Sequence, residues 1–246
     1  MKQTPEATQI ELGKDGTVAT ALDLATTNNR LQLLSASERI DWAISAFPIG
    51  LFALTSAGID SALMIDHLSR ARRPIPVIHI NTGFLPDETL SFRDGLRHRY
   101  GFQLIEIGPS EEEVADIKDR QLWDSDLESY TRITKLTPLS RAIGELGVAA
   151  LLTAVRRDQT VNRGTLDYVG RGNDSELRIH PFIDWSTEAV SAYIEDHQLP
   201  RNALYEQGFG SVEDQQIMLP GNGREGRTRL ECGLHMQDGA LLRQAS

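Results

Sequence analysis

Four groups of residues in this 246-residue chain could act on a phosphorylated substrate. The first surrounds Cys232, the only cysteine, within Glu231-Cys232-Gly233-Leu234-His235. Thiolate is the reactive form of cysteine, and cationic neighbours populate it near neutral pH. Arg224, Arg227 and Arg229 lead up to Cys232 and His235 follows it, while Glu231 opposes them. A free cysteine is commonly a small buried core residue. These glycine- and arginine-rich surroundings make a poor core, so Cys232 reads as a nucleophile. The second group is Leu54-Thr55-Ser56-Ala57-Gly58-Ile59-Asp60-Ser61, where an apolar run gives way to a helix. Backbone N–H groups and the helix dipole at such a turn bind phosphate. Ser56 and Ser61 add hydroxyls and Gly58 allows close approach of an anion, although the same residue types also simply cap helices. The third runs from Arg156 and Arg157 through Gln159 to Arg163, after another apolar run. Guanidinium groups there are planar, bidentate phosphate donors; a solvated charged loop is the ordinary alternative. The fourth is Lys135, ahead of Pro138, which by spacing alone is a surface lysine at a capped helix start.

These side chains need a frame. Apolar runs predict strands over 50–54, 77–80, 103–107, 148–153 and 178–180. Helical periodicity predicts helices over 31–47 (ended by Pro48), 59–69, 87–99 with Asp87 as N-cap, 111–119, 138–146 and 187–197. Alternation of this kind predicts an α/β fold: an open, mostly parallel twisted sheet with helices on both faces. Residues 1–29 read as a flexible N-terminal arm, 30–206 as the nucleotide-binding domain, and 207–246 as a mobile C-terminal tail carrying Cys232. His79-Ile80-Asn81-Thr82-Gly83-Phe84 leaves the second strand at its C-terminal end, the edge of an open sheet where ligands lie.

Composition narrows the function classes. Hydrophobic residues make up 40% and charged residues 24%, as in ordinary soluble domains. A net charge of −10 argues against general nucleic-acid binding. One cysteine excludes an intramolecular disulfide and a four-cysteine metal or iron–sulfur site within the chain. No apolar stretch is long enough to span a membrane, and the polar N-terminus lacks a signal-peptide core; a cytoplasmic protein is expected.

In their order, these segments resemble the sulfonucleotide reductase family. Ser56-Ala57-Gly58-Ile59-Asp60-Ser61 is similar to the PP-loop of the adenine-nucleotide α-hydrolase superfamily. Asn81-Thr82-Gly83-Phe84 resembles an Asp-Thr-Gly-Tyr/Phe stretch, and Lys135-Leu136-Thr137-Pro138-Leu139-Ser140-Arg141-Ala142 a Lys-x-x-Pro-Leu-x-Arg-Ala segment whose lysine faces the sulfonucleotide. Arg156, Arg157, Gln159 and Arg163 match a Gly-x-Arg-Arg-x-Gln-Ser/Gly-x-x-Arg signature in which Ala154 replaces glycine. His180-Pro181-Phe182-Ile183-Asp184-Trp185 and Leu199 to Phe209 match two segments that read as mostly architectural. Arg224 and Arg227 match an Arg-x-x-Arg pair before the terminal Glu-Cys-Gly-Leu-His.

The iron–sulfur branch of the family has cysteines where Tyr130, Thr131, Asp214 and Ile217 stand here, so the resemblance is to the cluster-free, phosphoadenylyl-sulfate (PAPS) reductase branch. That branch implies no resident metal or cofactor and no iron–sulfur cluster. Two departures from its Ser-Ile-Gly-Asp-x-His pattern are Glu213 and Gln216. The implied substrate-binding residues are Ser56, Ala57, Gly58, Ser61, Thr82, Gly83, Lys135, Arg156, Arg157, Gln159, Arg163, Arg224 and Arg227; the implied catalytic residues are Cys232 and His235. The implied reaction is reduction of the sulfonucleotide to sulfite and adenosine 3′,5′-bisphosphate through an S-sulfocysteine, in sulfate assimilation toward cysteine. Thioredoxin or glutaredoxin is the implied electron donor, and a homodimer the implied assembly. A cluster-free adenylyl-sulfate reductase, a PP-loop ATP pyrophosphatase in which Asp60 helps hold Mg²⁺, and a nucleotide-binding protein with a degenerate tail are the alternatives.

Overall fold

The computed structural model describes residues 22–58, 61–209 and 212–218; Cys232, His235, Arg224 and Arg227 lie outside them. The described residues open with α1 (Leu24–Leu31) and α2 (Ala36–Ala46). One helix over 31–47 was the expectation, and the break has a local cause. Ser35 Oγ accepts from the Glu38 N–H and the Glu38 carboxylate accepts from the Ser35 N–H, a reciprocal cap that starts a new helix. Residues 24–29 of the expected arm are part of α1.

The predicted alternation follows: β1 (Leu51–Thr55), α3 (Ser61–Ser69), β2 (Val77–Ile80), α4 (Asp87–Tyr100), β3 (Leu104–Ile107) and α5 (Glu111–Arg120). Asp87 is the first residue of α4 rather than its cap; Pro86 precedes it without a side-chain cap. Three elements that no periodicity announced come next: α6 (Leu122–Ser125), α7 (Leu127–Thr131) and a π-helical turn over Arg132–Leu136. Then come α8 (Thr137–Leu146), β4 (Ala150–Leu152), β5 (Val169–Arg171), β6 (Leu177–Ile179) and α9 (Thr187–Asp196). The unpredicted β5 is three residues long with glycine at its centre, too short to show alternation.

The strand order is β3-β2-β1-β4-β6-β5. All pairs are parallel except β5 with β6, so the sheet is mostly parallel with one antiparallel edge. Asn28 seals that edge. Its Nδ2 donates to the Val169 carbonyl and its Oδ1 accepts from the Val169 N–H, each at 2.9 Å, so that both backbone groups of this edge residue are withheld from another chain.

Strand period sorts the side chains onto two faces. Leu51 and Ala53 of β1 pack with α2, α3, α4 and α9 residues in the larger core, whereas Leu54, Ile78 and Leu151 pack against Leu139 and Ile143 of α8. Helix α3 is buried nearly all round, with Ala62, Leu63, Met64 and Ile65 each no more than 1% exposed. A fully buried side chain of this kind contributes about 1.5–3 kcal/mol, so the helix behind the phosphate-loop candidate is held rigidly. A third cluster of Phe84, Ile117, Leu122, Tyr130 and Ile217 builds up the C-terminal edge of the sheet. Within the expected mobile tail, residues 212–218 are docked there, with Val212, Asp214 and Ile217 buried. Among the described residues no helix is long and apolar enough to cross a membrane.

One ion pair, between buried Arg39 and the more exposed Asp184, ties α2 to the end of the sheet. Arg39 is 2% exposed; its Nη1 and Nη2 donate to the two Asp184 carboxylate oxygens at 2.7 Å each, and further donations reach the Leu31 and Pro181 carbonyls. Burial pushes the Asp184 carboxyl up, but the hydrogen bonds and charge of Arg39 outweigh it and hold its pKa below the usual carboxylate value. Replacing Arg39 with Met strands two carbonyls and should cost about 3 kcal/mol in denaturant unfolding. A group with a depressed folded pKa contributes stability above its unfolded value, near 4, that is lost as pH falls through the folded one. Asp184→Asn should therefore flatten the acid limb of stability below about pH 4; an unchanged limb would refute that assignment.

Candidate functional site

The sheet reverses direction of growth at β1. The chain runs from β1 to β2 and β3 on one side, then crosses over to β4 on the other. In open α/β sheets the crevice outside the strand C-termini at this switch point is where ligands bind. The loop after β1 is Ser56-Ala57-Gly58, and the loop after β4 carries Arg156 to Arg163. Direct pairing of β1 with β4 sets these two loops side by side.

The loop after β1 is held from inside the fold. Thr55 Oγ1 donates to Ser61 Oγ at 2.8 Å and accepts from the Ala57 N–H at 3.1 Å. Ala57 sits at φ 51°, in the left-handed region that costs a residue with a Cβ roughly 1–2 kcal/mol. Asn202, fully buried, stabilises that strained residue by donating to the Ala57 carbonyl at 3.2 Å while also reaching Thr89 Oγ1 at 3.3 Å. Ser56 is exposed and Gly58 half-buried, whereas Ser61, expected to face phosphate, has its oxygen engaged by Thr55. Sequence reasoning missed Asn202; its only signal was its position within a segment read as architectural.

Beneath this loop lies His79, fully buried, with Nδ1 3.2 Å from the Thr55 carbonyl and Nε2 without a partner. Burial lowers its pKa to about 4. His180, at the end of β6, has Nδ1 2.6 Å from Thr153 Oγ1 at the end of β4. Burial, followed by the charges of Arg178, Arg163 and Arg157, lowers its pKa to about 3. Both histidines are thus neutral at pH 7.

The arginines do not act as one open cluster. Arg156, 4% exposed, turns its fork to Asp158 Oδ1 at 2.9 Å and Thr187 Oγ1 at 3.1 Å, bracing the loop against α9. Arg163, 3% exposed, donates to Gln159 Oε1, which also accepts from the Arg156 N–H. Arg157 donates to the Leu166 carbonyl and stacks 5.1 Å from the Tyr168 ring centre. Arg39 covers the same ring at 4.3 Å, so the Arg39–Asp184 pair also positions the arginine loop. Arg178, absent from the sequence-derived candidates, is buried beside Glu176 and lines a cavity of about 180 Å³ with Thr137, Ser140, Asn173 and Asp174. Such a volume is small for a nucleoside-sized ligand.

On the other side of the edge, Gly83 adopts φ 80° and Gly108 lets the chain after β3 press against Asn81; a methyl at 108 would come within 2.1 Å of the Asn81 carbonyl oxygen. This close approach turns Thr82 inward. Thr82 Oγ1 donates to Asp214, Tyr130 Oη donates to Asp214 Oδ2 at 2.8 Å, and Lys135 Nζ lies 3.2 Å from the same oxygen. Tyr130, Thr131, Asp214 and Ile217 are the positions where the resemblance described above expects cysteines in the iron–sulfur branch. Tyr130 bonds to Asp214 and packs in one apolar cluster with Ile217.

Two measurements test this geometry. Histidine proton shifts should show His79 and His180 without titration between pH 8 and 5. Their folded pKa values lie below the ordinary 6.5, so their contribution to stability is full above pH 6.5 and declines as pH falls toward 4. Asn202→Ala should lower stability by about 1–2 kcal/mol in thermal melts, through the unsatisfied Ala57 carbonyl.

Comparison with known proteins agrees with this architecture. The family model described as phosphoadenosine phosphosulfate reductase domain matches residues 50–218. A phosphoadenosine 5′-phosphosulfate reductase of Synechococcus is 35% identical over 87% of this chain and 97% of its own length. One from Synechocystis is 36% identical over 88% and 92%. A crystal structure of phosphoadenylyl-sulfate reductase from Candida auris, in a phosphate complex, superposes with TM-score 0.73 at 28% identity, covering 82% of this chain and all of that one. Candida glabrata FMN adenylyltransferase, at 14% identity and TM-score 0.59, shares the fold. With a family model spanning β1 to the docked root of the tail, and relatives aligned along nearly their whole length, this chain belongs to the phosphoadenosine phosphosulfate reductase family.

Proposed function

We propose that this protein reduces 3′-phosphoadenylyl sulfate to sulfite and adenosine 3′,5′-bisphosphate, with Cys232 as nucleophile. The observation that carries this reading is the convergence of a phosphate-binding loop and an arginine-bearing loop at the switch point of a chain in this family. The substrate is an anion, so an approaching thiolate meets electrostatic repulsion. Lys135, Arg157 and Arg163, with Arg224 and Arg227 from the tail, offset that charge. Ser56, Ala57, Gly58 and Ser61 cradle phosphate at the start of α3. Thr82 acts through Asp214, and Gly83 shapes the turn after β2.

In the first step the Cys232 thiolate attacks the sulfur of the sulfuryl group. An S–S bond forms, the sulfur–oxygen bond to phosphate breaks, and the bisphosphate leaves with that electron pair. In the second, a thiolate of thioredoxin or glutaredoxin attacks Cys232 Sγ and expels sulfite; the partner's second thiol then resolves the mixed disulfide. Sulfur gains two electrons and the dithiol loses two. His235 assists as the proton carrier beside Cys232. Reuse of a free thiol in this way suits a reducing compartment such as the cytoplasm. The reading needs no metal and no iron–sulfur cluster, since the electrons come from the partner dithiol.

Sulfite release from labelled 3′-phosphoadenylyl sulfate with reduced thioredoxin tests the proposal. Wild type should turn over, and Cys232→Ser should release no sulfite while still binding adenosine 3′,5′-bisphosphate. Lys135→Met should lower kcat/KM about 10²-fold, the scale of a lost charge-stabilising group. Absence of sulfite from the wild type, or sulfite from the serine variant, would overturn it.

A further inference from the structure

Three donors from three separate elements converge on one carboxylate. Asp214 is fully buried. It accepts from Tyr130 of α7 and Thr82 of the loop after β2, and its Oδ2 lies 3.2 Å from Lys135 Nζ. Desolvating such an ion pair costs several kcal/mol, and an apolar replacement is often equal or better for stability. The arrangement is therefore poorly explained by stability alone.

The backbone has been altered to allow it. Residues five apart in an α-helix lie about 140° apart around the axis, so Tyr130 and Lys135 could not both reach Asp214 from one regular helix face. The π-helical turn intervenes. Thr137 N–H donates to the Arg132 carbonyl, five residues back, and Thr134 Oγ1 donates to the Tyr130 carbonyl at 2.7 Å. An i→i+5 turn widens the helix and brings residues five apart toward a common face, and such turns are frequent at functional sites.

We propose that Asp214 is a positioning residue: its carboxylate fixes the ammonium of Lys135 for the sulfonucleotide. This rests on the reading that Lys135 faces that substrate. Held before the ligand arrives, the ammonium meets developing charge without reorganisation. The same carboxylate repels the substrate anion, so Asp214 opposes ground-state binding and assists turnover, a difference between bound state and transition state.

The test compares wild type with Asp214→Asn, Lys135→Met and the double variant, each checked for folding by thermal melts. The probes are 3′-phosphoadenylyl sulfate turnover and calorimetric Kd for adenosine 3′,5′-bisphosphate. Asp214→Asn should lower kcat at least tenfold with Kd unchanged or tighter, and in the Lys135→Met background it should alter Kd by less than twofold. Should Asp214→Asn fail to fold, Tyr130→Phe removes one donor, keeps the charge, and should lower kcat about threefold without weaker binding. Turnover and affinity falling together, or the same fold-loss of kcat from Asp214→Asn with and without Lys135, would overturn the proposal. A wild type that releases no sulfite would instead sink the reductase reading on which it stands.

Discussion

Everything in this molecule hangs on the central position of β1, parallel-paired with β2 on one side and β4 on the other. Parallel pairing forces each connection to cross the sheet, and the crossovers put helices on both faces. It also aligns the C-termini of β1, β2, β3, β4 and β6, so that loops distant in sequence open at one edge. The juxtaposition of the loops after β1 and β4 follows from this pairing, as does the convergence of Thr82, Tyr130 and Asp214 nearby. Burial of α3 on nearly every side then keeps the loop after β1 from drifting.

Local strain at that edge is balanced by buried polar contacts. Ala57 holds a left-handed conformation, which a non-glycine residue adopts only when its surroundings over-determine it. Here the surroundings are Thr55 on one side and Asn202 on the other, the second reaching across 145 residues of sequence. Arg39 plays the matching part for the arginine loop, since its guanidinium and that of Arg157 both lie against the Tyr168 ring. The His180-to-Trp185 segment, architectural by its sequence, proves so in detail: Asp184 pairs with Arg39, and Phe182 and Trp185 make edge contacts with each other and with His67.

Electrostatics at the edge is more finely divided than a count of basic residues suggests. Arg156 is committed largely to Asp158 and Thr187, Arg178 to Glu176, and Lys135 lies against Asp214. Neutral, buried His180 among Arg157, Arg163 and Arg178 keeps that group from gaining a further positive charge at working pH. A site so arranged presents directed donors rather than a diffuse basic patch, in keeping with a chain whose net charge is −10.

By itself, the sequence determined the class of fold and the chemical inventory. Alternating apolar runs and amphipathic helices dictate a parallel α/β sheet because burial and backbone hydrogen bonding leave few other solutions. Cys232, the loop at Ser56 to Ser61 and the arginines near 156–163 could be identified by residue type and spacing. The Ser35 break in the first helical stretch is local, written in the Ser-x-x-Glu cap of Ser35 and Glu38. What local pattern could not reveal were features created by distant partners: the antiparallel edge strand β5, secured by Asn28, and the π-turn under Lys135. The roles of Asn202 and Asp214 belong to the same class. Each depends on a contact made only after folding, and side-chain type alone cannot say which of many possible donors a buried amide or carboxylate will meet. Tertiary structure made that choice, because a buried polar group must be satisfied by whatever the packing of the sheet and its helices brings within reach.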